Sequence, residues 1–312
     1  MSVNLKTGVY AKGSDRLLAR GLLFLLLFLP FQLYGADNKV RVFVSVLPQK
    51  TFVERIGGDA VDVSVMVKPG FSPATYEPTP RQIVALSKAG LYIRIGVPFE
   101  QAWMPRIRSV NPDMVLLDAR EGLALRDLEE HHHGHDDHDD HETEAHDAEN
   151  ETDPHLWTSP LLVMQMAEQI RDQLIALKPA DKALFTENHA AFINELEALD
   201  QEFKALFSEA EGKTFLVFHP SWGYFADAYG LTQVAIESEG KEPGARALAA
   251  LIKQAKQNEA KTIFVQPQFD QRAAKQVAKA IDGKVVAIDP LAADYFVNMR
   301  RAARLIAGVS AE

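Results

Sequence analysis

The chain has 312 residues, of which 47% are apolar, 24% charged and 9% aromatic. That balance is globular: it excludes collagen-like, disordered and polytopic membrane classes, and the length suggests roughly two domains. There is no cysteine, which excludes disulfides, thiolate zinc sites, iron–sulfur clusters and cysteine nucleophiles and leaves metal chemistry to histidine and carboxylate.

The net charge of −10 is unevenly spread. Residues 1–36 carry Lys6, Lys12, Arg16 and Arg20 against Asp15, whereas residues 129–153 hold twelve Asp or Glu and no Lys or Arg. The remainder is close to neutral and has no basic excess to neutralise a phosphate backbone, so nucleic acid is not an expected partner.

In chain order, the basic stretch ending in Arg16 and Arg20 precedes the apolar run Gly21–Pro30, followed by the small residues Gly35 and Ala36. This is the order of a secretory signal, and the run is short for a bilayer span. Export to a periplasm is expected, with no cysteine available for lipid attachment; an uncleaved single-span anchor is the alternative.

Beyond it, short β-branched runs alternate with helical patterns. Strands are predicted at Val40–Val46, Val61–Val67, Leu91–Gly96 and Met114–Asp118, and again at Thr214–Phe218, Leu231–Glu237, Thr262–Gln266 and Lys284–Asp289. Helices are predicted at Pro80–Ala89, Gly244–Asn258 and Gln271–Ile281. The alternation predicts an α/β fold with one parallel, helix-covered sheet in each half. Between the halves, Ser159-Pro160 opens a helix to Leu177 with an apolar face of Leu162, Met166, Ile170 and Leu174. A second helix, roughly Ala180–Glu209, has no internal Gly or Pro and reads as a stiff connector.

The acidic stretch contains seven of the ten histidines: His131, His132, His133, His135, His138, His141 and His146. With nothing to bury, it is expected to be a disordered loop, and its imidazoles suit transient binding of zinc, copper or nickel. Of the remaining three, His189 lies among polar neighbours in the long helix and is expected on a solvated face. His155 precedes a helix and His219 ends an apolar strand, where open α/β sheets place ligands. Asp289 ends the last strand and offers either a carboxylate ligand or a cap for the following turn.

The stretches Lys68-Pro-Gly-Phe-Ser-Pro-Ala-Thr-Tyr-Glu-Pro-Thr-Pro80, Asp153-Pro-His-Leu-Trp-Thr-Ser-Pro160, Phe218-His-Pro-Ser-Trp-Gly-Tyr-Phe225 and Ile288-Asp-Pro-Leu291 together resemble the ZnuA/TroA-like periplasmic metal-binding proteins of ABC transporters. The resemblance covers essentially the whole chain after the signal. It implies two α/β lobes joined by a long rigid helix, with the metal in the cleft between them and His155, His219 and Asp289 as ligands. Zinc is implied ahead of manganese, because zinc-specific members carry a histidine-rich acidic insertion at this place. The expected division is a signal segment 1–36, an N-terminal lobe 37–178 bearing the 129–153 loop, a connecting helix 179–209 and a C-terminal lobe 210–312.

One departure stands out. Where the family reads Pro-His-x-Tyr-Glu-Pro, this chain reads Pro73-Ala-Thr-Tyr-Glu-Pro78, so Ala74 occupies the usual first-ligand position. Water or a loop histidine is expected to fill the open position; Glu77 is a further candidate, although capping of the following helix suits it better. The expected role is a monomeric, non-enzymatic carrier delivering its ion to a membrane permease driven by a cytoplasmic ATPase. Two alternatives stay open: a zinc buffer or metallochaperone acting through the loop, and a zinc hydrolase. The hydrolase lacks a His-Glu-x-x-His helix or an obvious general base.

Overall fold

A computed structural model of the chain describes residues 1, 2, 8, 39–128, 152–210, 212–237, 244–258 and 260–309. The predicted signal's apolar run and the seven histidines of the acidic stretch lie outside the described residues. From Lys39 onward the chain is one compact unit.

All eight predicted strands form, each a few residues shorter than its pattern. β1 (Val40–Val44), β2 (Val61–Val65), β3 (Leu91–Arg94) and β4 (Val115–Asp118) make one sheet, and β5 (Thr214–Val217), β6 (Thr232–Ala235), β7 (Thr262–Val265) and β8 (Lys284–Ala287) a second. Both are entirely parallel, in the orders β2-β1-β3-β4 and β6-β5-β7-β8. Each order reverses direction at one place, between β1 and β3 in the first sheet and between β5 and β7 in the second. Loops leaving the carboxyl ends of strands at such reversals form the natural crevices of open α/β sheets.

The intervening helices are α1 (Leu47–Gly57), α2 (Pro80–Leu86), α3 (Pro98–Val110), α4 (Pro160–Leu177), α5 (Lys182–Phe207), α6 (Gly223–Ala228), α7 (Ala245–Gln257), α8 (Arg272–Ala280) and α9 (Tyr295–Ala307). Proline stands at N1 of α2, α3 and α4, where its missing N–H leaves no hydrogen bond unmade. Capping of α2 differs from expectation. Thr79 is the N-cap: its hydroxyl accepts the Gln82 N–H and the Gln82 side chain accepts the Thr79 N–H at 3.0 Å. That reciprocal pair satisfies the helix end, so Glu77, two residues earlier and exposed, has no capping role.

α5 runs 26 residues, about 39 Å at 1.5 Å per residue, and packs against α1, α4 and α9. Side chains of the second sheet alternate between two cores: Phe215 and Val217 face a core shared with Phe52, Phe192 and Trp157 of the first half, whereas Leu216 and Phe218 face α7 and α8 through Leu251 and Val277. The two halves are also tied by hydrogen bonds. Trp157 Nε1 donates to the Pro290 carbonyl at 2.7 Å and Thr51 Oγ1 to the Ala293 carbonyl at 3.2 Å, while Phe52 meets Tyr295 edge-on at 5.0 Å.

His189 is not on a solvated face. It is 8% exposed, and with Phe185, Phe192, Leu196 and Leu199 it falls on the buried stripe of α5. Its neighbours in sequence are polar, but its neighbours at helical spacing are apolar, and the spacing decides burial. Nδ1 meets Arg171 Nη1 of α4 at 3.4 Å, and Nε2 is buried without a hydrogen-bond partner among the described residues. Burial first, then the Arg171 charge, lowers its pKa against the opposing pull of Glu168 and Asp172. A histidine whose pKa is lowered by folding costs stability as pH falls below its unfolded value of about 6.5. His189→Leu is therefore expected to raise the melting temperature at pH 7.5 and to raise it further at pH 5.5, measured by thermal unfolding. A loss at both pH values would show that the imidazole is a needed partner.

Candidate functional site

The carboxyl ends of β3, β5 and β7 converge on one cavity of about 90 Å³, well under the 300–1,000 Å³ usual for organic ligands. Val97 and Pro98 reach it from the loop after β3, His219 from the loop after β5, and Gln266, Gln268 and Phe269 from the loop after β7. Ala74, Leu128, His155, Trp157 and Leu291 complete most of its wall. Apart from the two imidazoles and two glutamines, the surface is almost wholly apolar.

His155 and His219 are brought together from opposite halves, their ring centroids 5.2 Å apart with planes at 74°. Each is held from behind by a carboxylate. Asp153 Oδ1 accepts both the His155 backbone N–H at 2.9 Å and its Nδ1 at 2.7 Å. Glu237 Oε1 meets His219 Nδ1 at 2.5 Å. A carboxylate only accepts, so each ring carries its hydrogen on Nδ1 and keeps a lone pair on Nε2. Phe269 stacks on His219 at 4.7 Å, and Gln266 brackets the His219 backbone, accepting its N–H at 3.3 Å and donating to its carbonyl at 2.8 Å.

Burial lowers the His219 pKa, and the neighbouring His155 lowers it further, against the Glu237 hydrogen bond. The imidazole thus stays neutral, and free to ligate, below its ordinary pH. Burial alone would raise the Asp153 carboxyl, but His155, the backbone N–H and Arg126 together pull it below its usual value. Arg126 Nη1 lies 3.2 Å from Asp153 and its Nε 3.1 Å from Asp227, and Tyr224 donates to the Asp153 carbonyl at 2.9 Å. A Cβ at Gly223 would stand 1.3 Å from Arg126 Nη1 and 3.0 Å from Asp153 Oδ2, so a larger residue there would displace the Arg126 side chain. An antiparallel bridge between Asp127 and Thr152 closes the neck from which the acidic stretch leaves and returns. Leu128, at that neck, lines the cavity.

Asp289 does not line the cavity, although Pro290 and Leu291 do. Its Oδ1 accepts from the Leu291 N–H and from Gln268 Nε2, both at 2.9 Å, so it does hold the following turn; Oδ2 has no hydrogen-bond partner among the described residues. Glu77 is exposed and away from the cavity wall. Among the described residues no three His, Asp or Glu side chains stand close enough to hold a metal unaided. Sequence reasoning missed Glu237 and Gln266, each the last residue of a predicted strand, and counted Asp153 with the acidic stretch. The position at a strand's carboxyl end was the available signal.

The sequence profile described as "Zinc-uptake complex component A periplasmic" matches residues 42–309. The zinc-binding lipoprotein AdcA of Streptococcus pneumoniae serotype 4 is 30% identical over 82% of this chain, which spans 51% of that relative. The high-affinity zinc uptake system protein ZnuA of Bacillus subtilis is 31% identical over 81% of this chain and 79% of its own. Thus the chain covers about half the length of the AdcA relatives but most of ZnuA. Among solved structures, a ZnuA crystal structure has a TM-score of 0.78 at 38% identity, covering 87% of this chain and 99% of its own. A zinc-bound ZnuA lacking its residues 138–173 has the same TM-score and identity, covering 88% and 99%.

Proposed function

The chain belongs to the family of periplasmic zinc-uptake component A proteins, and from that premise we propose that its cavity captures zinc for delivery to a membrane permease energised by a cytoplasmic ATPase. It acts as a monomeric carrier exported by its N-terminal signal, and not as an enzyme. Among the described residues no helix is long and apolar enough to cross a membrane.

The observation that carries the reading is the spacing of the two imidazoles. Zinc binds imidazole nitrogen at about 2.0–2.1 Å in tetrahedral sites. Allowing about 1.15 Å from nitrogen to ring centre, two imidazoles on one tetrahedral zinc have centroids about 5.2 Å apart. The His155 and His219 centroids are 5.2 Å apart. Both rings line the cavity, and both have Nδ1 occupied by a carboxylate, so the Nε2 lone pairs are the ones left to meet the ion. Asp289, through Oδ2, is the third ligand, reaching the ion by a side-chain movement that releases Gln268.

The fourth position is open, because Ala74 lines the cavity where the family's first histidine would stand. Water or a tract histidine fills it, whereas Glu77, exposed and away from the cavity wall, is set aside as an auxiliary ligand. The tract itself, His131, His132, His133, His135, His138, His141 and His146, gathers cations by charge and weak ligation near the neck at Asp127 and Thr152. Because the lobes are already tied through Trp157 and Thr51, loading requires little interlobe movement.

Replacing His219 by alanine is expected to remove the tight zinc class in a chelator-competition titration and leave weak tract binding; an unchanged tight class contradicts the assignment. Ala74→His is expected to tighten zinc by roughly tenfold or more, on the order of 1.4 kcal/mol, by supplying the missing nitrogen. Equal affinity in that variant would show that position 74 does not face the ion.

A further inference from the structure

We propose that Glu237 is a positioning residue for the zinc site, dedicated to fixing the tautomer and direction of the His219 imidazole. The inference rests on the reading that His219 ligates the ion through Nε2. Glu237 lies just beyond β6 and is 2% exposed. Its Oε1 meets His219 Nδ1 at 2.5 Å, and its Oε2 is buried with no hydrogen-bond partner among the described residues. Burying a carboxylate with one oxygen unpaired is unfavourable, and among the described residues only the His219 contact offsets it.

The contrast with Asp153 makes the point. Asp153 serves His155 but also holds a backbone N–H and Arg126, so it stabilises the neck as well as the ring. Among the described residues Glu237 has no such second duty. It also stands behind His219, on the Nδ1 side, so an ion on Nε2 is out of its reach and it orients the ligand without coordinating. A carboxylate on the far nitrogen of a metal-binding imidazole locks the tautomer, restrains the ring and raises ligand basicity. With two histidines at this site among the described residues, the loss of one ring's alignment removes half of those nitrogen donors.

The test uses the full chain with Glu237→Leu, which removes the acceptor, and Glu237→Gln, which keeps shape and a weaker acceptor. Long-range proton–nitrogen NMR of metal-free, histidine-labelled protein at pH 8 reads the His219 tautomer, with His219→Ala identifying the resonance. The wild type should carry its proton on Nδ1, Glu237→Leu should shift it to Nε2 in a large fraction of molecules, and Glu237→Gln should fall between. Zinc competition, with the His219→Ala protein as the blank for tract binding, should show roughly 10–100-fold weaker binding in Glu237→Leu and partial rescue in Glu237→Gln. The melting temperature should hardly fall, because a buried unpaired oxygen is removed with the charge.

An unchanged tautomer, or unchanged zinc affinity, in a folded Glu237→Leu protein overturns the inference. Should that variant not fold, the same two readings on Glu237→Gln decide it, a wild-type tautomer with wild-type affinity counting against. Failure of the underlying reading looks different: the wild type itself would show no zinc class that His219→Ala removes.

Discussion

Two imidazoles from opposite halves of the chain face each other across a small apolar cavity, and each holds that attitude because a buried carboxylate occupies its Nδ1. The rest of the structure serves this pair. The reversal of strand order at β5 and β7 brings His219 and Gln266 to one crevice, and the α5 helix with its shared core fixes the second sheet against the first. The Trp157–Pro290 hydrogen bond then joins the segment carrying His155 to the segment following Asp289. The fold itself sets a spacing that, on the proposed function, suits tetrahedral zinc, so on that reading little binding energy is lost to ordering the ligands.

The cavity's chemistry adds to that preparation. Its apolar wall excludes competing polar partners and strengthens the electrostatic attraction of the few groups that face inward. The same burial lowers the His219 pKa, so its lone pair is available where an exposed imidazole would already hold a proton. What the site lacks is a third nitrogen. Alanine at position 74 leaves one side open, and the only nearby carboxylate of the expected ligand set, Asp289, is engaged through Oδ1 with Gln268 and Leu291. On the proposed assignment of Asp289 as a ligand, capture exchanges that internal hydrogen bond for a metal bond, which favours reversible loading over permanent retention.

Much of this was legible in the sequence. Alternating β-branched runs and helix-length segments located all eight strands, because parallel strands buried on both faces need continuous apolar character whatever lies around them. His155 and His219 stood out because few histidines lie outside the acidic tract and both sit at element ends, and the fold brings their rings together. Other features depended on tertiary neighbours. His189 was misplaced because local polarity was weighed above its register with Phe185 and Phe192. Glu77 lost its capping role to Thr79, whose partner Gln82 lay three residues on, a capping box that could have been read. Glu237 offered only its place at a strand's carboxyl end, since what defines its role is a contact across strands to a residue eighteen positions away.

The central claim is that the cleft, and not the histidine-rich tract, holds the transported ion. The most direct measurement is a competitive zinc titration of the mature protein lacking residues 129–148, with total metal counted independently. One tightly bound zinc per chain is the predicted result, showing that His155 and His219 suffice as the nitrogen donors without a histidine at position 74. Absence of a tight site would contradict the account and move the function to the tract.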